Sequence, residues 1–259
     1  VELNFASQGL LFGGWLPGVT SYHEERDNLR YTTGLDSIYL NGVSWSNFAV
    51  DAVSRRVGEI SEDLFGYTRS ASWSVLGSQL NRSHLERELE AFGWSLLFEA
   101  CGMHCELAEL AASDPPIDAR FTFSRVTSPD MMDDWLPPFM AGFDFPEESR
   151  SLLRAAYGRA ATAGDFHYKH YVVYDGGIAI CSGSLQSVNG CAVIYNIATV
   201  PQARGRGGAT AMITFLKDEV ARQGLKRVSL FAMPTALGLY ERLGFRRDHS
   251  TTLLYGRTR

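Results

Sequence analysis

The sequence has little cysteine, no long apolar run and no excess of basic residues. Its 259 residues include four cysteines, Cys101, Cys105, Cys181 and Cys191, which are too few for a disulfide framework. No apolar segment approaches the roughly 18 to 20 residues that a membrane-spanning helix needs. Twenty-four basic against 29 acidic residues leave a net charge of −5. This balance excludes a basic nucleic-acid coat, because such a coat binds by neutralising phosphates.

These absences favour a cytoplasmic protein that contacts neither nucleic acid nor membrane. The first residues lack a basic segment followed by an apolar one, so we expect no secretory signal. An apolar share of 45% and a charged share of 20% are typical of globular proteins. Cys101, His104 and Cys105 resemble half of a zinc site, but a second ligand pair at suitable spacing is missing. We therefore expect no metal.

A break in the pattern divides the chain near residues 111–119. Residues 111–116, Ala-Ala-Ser-Asp-Pro-Pro, combine two prolines with small polar residues, and proline interrupts regular structure. The length is sufficient for one large or two small domains. We predict two domains, residues 1–114 and 117–259.

Strand-like and helix-like segments alternate in the second half and are less regular in the first. Asp175-Gly176-Gly177 is typical of a hairpin turn. This order predicts a mixed α/β fold with a largely antiparallel sheet. In the second half, strands are predicted over 121–126, 167–174, 178–185, 191–200, 227–232 and 250–256, and helices over 129–142, 147–163, 209–224 and 235–243. In the first half, strands are predicted over 37–43, 70–75 and 95–98, and helices over 50–65 and 83–91.

The strongest chemical signal lies in residues 196–210. An apolar strand is followed by a glycine-rich turn from Arg204 to Gly208, and a helix begins near Ala209. A helix N-terminus presents unpaired N–H groups, and glycine lets a backbone approach a ligand closely, so the pattern is typical of phosphate binding. It is not the dinucleotide fingerprint, since Thr210 stands where the third glycine belongs, and no P-loop triplet occurs. A plain surface turn is the alternative.

Two segments resemble the GNAT superfamily of acyl-CoA-dependent N-acetyltransferases. Arg204-Gly205-Arg206-Gly207-Gly208-Ala209 is similar to its R/Q-x-x-G-x-G/A signature. Residues 239–245, with Tyr240 followed by Leu-Gly-Phe, are similar to its second motif. The resemblance covers roughly residues 117–257 and implies a GNAT fold, an α/β architecture of the α+β type with a splayed, mixed, mainly antiparallel sheet. The first half is similar to the degenerate N-terminal domain of two-part GNAT proteins, and it lacks a glycine-rich phosphate turn, so we assign it no cofactor.

The resemblance implies acetyl-CoA as co-substrate. Its pyrophosphate is expected on the N–H groups of the glycine-rich turn, and its pantetheine arm is expected to pair like an extra strand with the preceding strand, where the sheet splays. Arg204 and Arg206 are expected to contact phosphates directly, with solvated loop charges as the alternative. The expected cofactor-binding residues are Ala198, Thr199, Val200, Arg204, Gly205, Arg206, Gly207, Gly208, Ala209 and Thr210.

The resemblance also implies direct transfer of an acetyl group to a primary amine of a small molecule or peptide. Tyr240 matches the family's general acid, and a phenol with a pKa of about 10 stays protonated near neutral pH; a packing tyrosine is the alternative. A backbone N–H near Ala198 to Val200 is expected to stabilise the oxyanion. The identity of the general base stays open. The candidates are His167, His170, Asp165, Glu241 and a water chain.

Two departures from the family pattern favour a second hypothesis. Met233 stands where many members have an asparagine, and the strand before the turn, residues 195–197, contains no carboxylate. The alternative is therefore a catalytically silent CoA-binding sensor or interaction protein. The chain is also compatible with a homodimer.

The acceptor surface is expected within residues 129–163 and the first half. An acidic stretch there attracts a cationic amine or is simply a solvated helix face. The residues concerned are Asp130, Asp133, Asp134, Asp144, Glu147 and Glu148.

Overall fold

The computed structural model describes residues 21–33, 35–107, 115–162, 168–188 and 191–259. By compactness the chain divides into two units. One runs to Cys101 and includes His249–Arg259, and the other is Gly102–Asp248. The domain division predicted at residues 114–117 lies partly outside the described residues and stays a prediction. Among the described residues, no helix is both long and apolar enough to cross a membrane.

The first unit is built on a short mixed sheet covered by two helices. Antiparallel pairing joins β1 to β2, β2 to β3 and β4 to β11, whereas β3 and β4 are parallel. The elements are β1 (Ser21–Glu24), β2 (Asn28–Thr32), β3 (Gly42–Ser46), α1 (Val53–Tyr67), β4 (Ser70–Leu76), α2 (Arg82–Ala91), β5 (Ser95–Glu106) and β11 (Arg246–Thr258). Strand β5 runs from the first unit into the second, and β11 returns from the second unit to the first.

The strand predicted over 37–43 is wrong for most of its length, since residues 38–40 form a turn and β3 begins at Gly42. The buried Asn41 side chain causes the difference. Its amide donates to the carbonyl oxygens of Leu35 and Ser37, at 2.7 and 3.0 Å, which holds the chain in a turn. The predicted helices over 50–65 and 83–91 are confirmed as α1 and α2, the first preceded by a 3-10 turn.

The second unit confirms the predicted mixed, mainly antiparallel sheet. Its strand order is β10-β9-β8-β7-β6. Pairing is antiparallel from β6 to β9, and β9 and β10 are parallel. The predicted hairpin turn is confirmed, with Gly176 and Gly177 both at positive φ. The elements are β6 (Phe121–Arg125), α3 (Met132–Phe143), α4 (Arg150–Thr162), β7 (Tyr168–Asp175), β8 (Ile178–Val188), β9 (Cys191–Thr199), α5 (Gly208–Arg222), β10 (Arg227–Ala232) and α6 (Leu237–Arg242).

Helices α3 and α5 pack closely on β8 and β9. The Trp135 indole N–H of α3 donates to the Gly183 carbonyl of β8 at 3.1 Å. A Cβ added at Gly142, near the end of α3, would lie 2.3 Å from the Ala198 Cβ of β9. The helix therefore approaches β9 as closely as glycine allows.

A histidine is sealed inside this unit. His170 of β7 is 0% exposed, and its ring lies 4.6 Å from that of Trp135 and 5.6 Å from that of Tyr157, between ring centroids. Burial lowers the pKa of His170 to about 3, because the aromatic surroundings disfavour the charged ring.

The close contact between α3 and β9 predicts that alanine substitutions at two helical glycines change stability in opposite directions. Gly142→Ala is expected to lower the free energy of unfolding by about 1–3 kcal/mol, since the new methyl overlaps Ala198. Gly158→Ala in α4 is the matched control, because its methyl meets Met132 at an ordinary 3.5 Å; it is expected to raise stability by about 0.4–1 kcal/mol. Denaturant unfolding measures both changes, and equal effects would contradict the packing.

The buried histidine predicts a pH-dependent stability. The unfolded chain takes up a proton on this ring near pH 6.5, whereas the folded chain does so only near pH 3. The free energy of unfolding therefore falls as pH is lowered from 6.5, by up to about 1.4 kcal/mol per pH unit from this group. When the free energy of unfolding is measured with urea between about pH 5 and 7, its dependence on pH is expected to be weaker in His170→Phe than in the wild type. An unchanged pH dependence would show that the ring is accessible to protons.

Candidate active site

The parallel strands β9 and β10 part soon after they meet. Their register contains two pairs, Val228 with Ala192 and Ser229 with Val193, after which β9 continues to Thr199 and β10 to Ala232. We call the opening between these two strand ends the slot.

One edge of β9 faces β8 and the other faces the slot. The Val200 N–H donates to the Ile180 carbonyl at 3.0 Å, so it is used on the β8 side. Because the backbone groups of successive strand residues point to opposite edges, those of Thr199 face the slot. Of the expected residues Ala198, Thr199 and Val200, the middle one is therefore best placed to pair with an inserted chain.

A β-bulge bends β9 just before the slot. Ser182 pairs with Ala198 but Ser184 pairs with Tyr195, so β9 carries one extra residue there. Asn196 lies in the bulge at φ +56°, a conformation that asparagine adopts more readily than most residues.

The glycine-rich turn leads from the slot into α5. Gly205 and Gly207 have φ +76° and +90°, which a side chain strains, and α5 begins at Gly208. A Cβ at Gly208 would lie 3.0 Å from Ile180 Cδ1, so this glycine lets the helix start close to β8. Among the described residues, no side chain caps the N-terminus of α5. The first N–H groups, including those of Ala209 and Thr210, thus create a positive potential at the mouth of the slot.

The two arginines of the turn differ in their partners. Arg206 forms a salt bridge with Asp175 at 2.7 Å, and its carbonyl accepts a hydrogen bond from Arg120. Arg204 donates through Nε to the Thr199 carbonyl at 3.2 Å and has no carboxylate partner among the described residues. Arg204 therefore carries the uncompensated charge beside the slot, whereas the charge of Arg206 is balanced by Asp175.

Tyr240 lies in α6, after β10, and is 7% exposed. Its ring packs edge-on against Phe245, with centroids 5.6 Å apart. Burial raises the pKa of Tyr240 above its usual range, and the Cys181 thiol raises it further. Burial likewise raises the pKa of Cys181 to about 12. The phenol is therefore a neutral proton donor at physiological pH.

The two candidate bases that the structure describes, His170 and Glu241, are occupied elsewhere. His167 and Asp165 lie outside the described residues. His170 is enclosed, and Glu241 pairs with Arg247 at 2.8 Å on the surface. Met233, at the end of β10, is 39% exposed and brings no amide to the slot. Among the described residues, no cluster of three or more metal-ligating side chains occurs.

Much of the acidic stretch is already paired. Arg154 binds Asp133 at 2.9 Å, the Tyr174 hydroxyl donates to Asp134 at 2.8 Å, and Arg150 binds Glu147. Asp130 lies 3.6 Å from Arg154. Asp144, at the end of α3, and Glu148 carry the charges that no described residue balances.

The first unit contains a similar parting that its own side chains bridge. Strands β3 and β4 pair in parallel at two positions only. Beyond them, the Trp73 indole N–H donates to the Ser46 hydroxyl at 3.1 Å, and the Gln79 amide donates to the Ser46 carbonyl. The Asn81 amide donates to the Phe48 carbonyl at 2.7 Å. The carbonyl oxygens of Ser46 and Phe48 thus have hydrogen-bond partners within the first unit.

Several solved structures share this fold at low sequence identity. A GCN5-related N-acetyltransferase from Kribbella flavida is 15% identical with a TM-score of 0.65, over 97% of this chain and 92% of that one. A conserved protein of unknown function from Staphylococcus epidermidis has a TM-score of 0.65 at 12% identity, over 91% and 92%. A tandem GNAT protein from the clavulanic acid biosynthesis pathway has a TM-score of 0.63 at 11% identity, over 98% and 87%.

A search of curated proteins finds no match to the sequence. The model of the acetyltransferase (GNAT) family matches residues 129–245, a segment that contains the slot, the glycine-rich turn and Tyr240. Residues 129–245 therefore belong to the GNAT family of acetyltransferases.

Proposed function

We propose that the chain is an N-acetyltransferase that transfers the acetyl group of acetyl-CoA to a primary amine of a small molecule or peptide. The observation that carries this proposal is the slot beside the uncapped start of α5. The pantetheine arm pairs with the Thr199 edge of β9, and the diphosphate binds the N–H groups from Gly207 to Thr210. Arg204 supplies the additional positive charge.

The reaction requires a neutral amine, a stabilised oxyanion and a protonated leaving thiol. The amine attacks the thioester carbonyl directly, and the backbone of β9 at the slot donates to the oxygen that becomes negative. Tyr240 then donates its proton to the departing thiolate, and its burial keeps that proton available. The amine must also lose a proton, and either one of the candidate bases or a water chain accepts it.

The open question of the general base supports a second candidate function, a CoA-binding sensor without turnover. His170 is enclosed and Glu241 pairs with Arg247, so neither of the two described candidates is available as a base. A free-thiol assay across a panel of primary amines and peptides separates the two candidates. Thiol release with one acceptor class supports the transferase, and silence with intact acetyl-CoA binding supports the sensor.

The glycine-rich turn predicts a selective loss of cofactor binding. Gly207→Ala is expected to weaken acetyl-CoA binding about tenfold, because a methyl at φ +90° distorts the N–H groups that face the diphosphate. Gly224→Ala is the matched control, since it places the same methyl at φ +74° beyond the other end of α5. Calorimetry measures both affinities. Equal affinities would contradict the assignment, and an unchanged Tm of the wild type at millimolar acetyl-CoA would remove it.

Removal of the Tyr240 hydroxyl is expected to reduce turnover without weakening acetyl-CoA binding. Tyr240→Phe is expected to lower thiol release about 100-fold, since the leaving thiolate loses its proton donor, while the Kd of acetyl-CoA changes by less than about twofold. Tyr171→Phe is the control, because its hydroxyl donates to Glu219 at 3.2 Å, away from the slot. Equal turnover of the Tyr240 variant and the wild type would reject the acid role.

A further inference from the structure

A buried chain of polar side chains crosses three neighbouring strands behind the slot. His170 of β7 lies opposite Ser184 of β8, and the His170 Nδ1 is 2.7 Å from the Ser184 Oγ. The Asn196 amide of β9 donates to the same hydroxyl at 3.1 Å. His170 and Ser184 are both 0% exposed, so solvent does not compete for the bond between them, and Asn196 is half-buried.

Each hydrogen bond of this network has an assigned donor and acceptor. Because the Asn196 amide donates to Ser184, the hydroxyl has its own hydrogen available for the His170 Nδ1, which therefore accepts. The ring is then neutral with its proton on Nε2, in agreement with its low pKa, and it also interacts with the backbone of Tyr157. A buried network with a single arrangement is rigid, because breaking any bond leaves a polar group without water.

The network ends on the β-bulge that precedes Thr199 on β9. Ser182, two residues before Ser184 on β8, donates to the Asn196 carbonyl at 3.0 Å. Asn196 is therefore held through both its amide and its carbonyl while its φ is +56°. The residues that follow it on β9 lead to Thr199, whose backbone faces the slot.

We infer that His170, Ser184 and Asn196 form a positioning network that fixes the bulge and aims the slot edge of β9 at the thioester carbonyl. This inference rests on the proposed function. The three side chains do not touch the reacting atoms, and His170 acts as an acceptor rather than as the general base. A hydrogen-bond donor displaced by about 1 Å loses much of its catalytic effect. A rigid bulge therefore keeps the backbone donor of β9 in position for the reaction.

The decisive variant is Ser184→Ala, with Ser187→Ala as the matched control on the same strand. The Ser187 hydroxyl bonds Gln223 at 2.8 Å on the surface and takes no part in the network. We expect the Ser184 variant to lower kcat at least about tenfold while the Kd of CoA changes by less than about threefold. Infrared spectra of bound acetyl-CoA labelled with ¹³C at the carbonyl give a readout without turnover. The wild type is expected to show a lowered C=O stretching frequency, and Ser184→Ala is expected to lose most of that shift.

Further variants keep the test informative if one of them folds poorly. His170→Phe keeps an aromatic ring against Trp135 and removes the acceptor, and Asn196→Gly keeps the positive φ and removes the amide. Both are expected to reproduce the loss of the carbonyl shift, whereas Ser184→Thr restores it by restoring the hydroxyl.

The outcomes separate this inference from the proposed function. An unchanged carbonyl frequency and kcat in folded Ser184→Ala, with acetyl-CoA bound, would overturn the network and leave the transferase standing. A parallel loss of CoA affinity and kcat would also overturn it, since that pattern indicates general disruption. A wild type that binds no acetyl-CoA would overturn both.

Discussion

The early parting of β9 and β10 is the constraint on which the second unit depends. Backbone groups that leave a sheet need other partners; the Thr199 N–H faces the slot, whereas its carbonyl accepts a hydrogen bond from Arg204. A few residues later, the N–H groups at the start of α5 are also without partners among the described residues. The N–H of Thr199 and the first N–H groups of α5 thus lie along one short stretch of chain. A ligand with amides at one end and a diphosphate at the other satisfies both, which is why the geometry supports coenzyme A.

The two units differ in how they use a short parallel pair of strands. Each has a parallel pair of strands that parts after two residue pairs and is followed by a helix. In the first unit, Trp73, Gln79 and Asn81 bond across to the preceding strand and its extension, and no glycine-rich turn precedes the helix. In the second unit the strand edge is open and Gly207 precedes the helix. A short parallel pairing is therefore common to both units, and a few side chains decide which unit offers an open strand edge.

The parts of the structure that depend on residues close together in the sequence were predictable. The helix before Gly224, the hairpin at Gly176 and the turn at Gly207 follow from periodicity and from the positive φ that glycine adopts without strain. The strand predicted over 37–43 was wrong, because the Asn41 side chain also bonds to the distant Ser70 and overrides the local apolar pattern. The return of the last strand to the first unit was equally invisible, since its partners are far away in the sequence.

The sequence by itself determined which residues make the turn, where α5 begins and where Tyr240 stands, because these features need only local backbone preferences and a short motif. Tertiary structure decided which charges remain uncompensated and which titratable groups remain accessible. Asp175 balances Arg206 but not Arg204, and Trp135 helps to enclose a histidine that the sequence offers as a base. Pairing and burial are set by residues from distant strands and helices, and a pKa depends on that environment rather than on its neighbours in the chain.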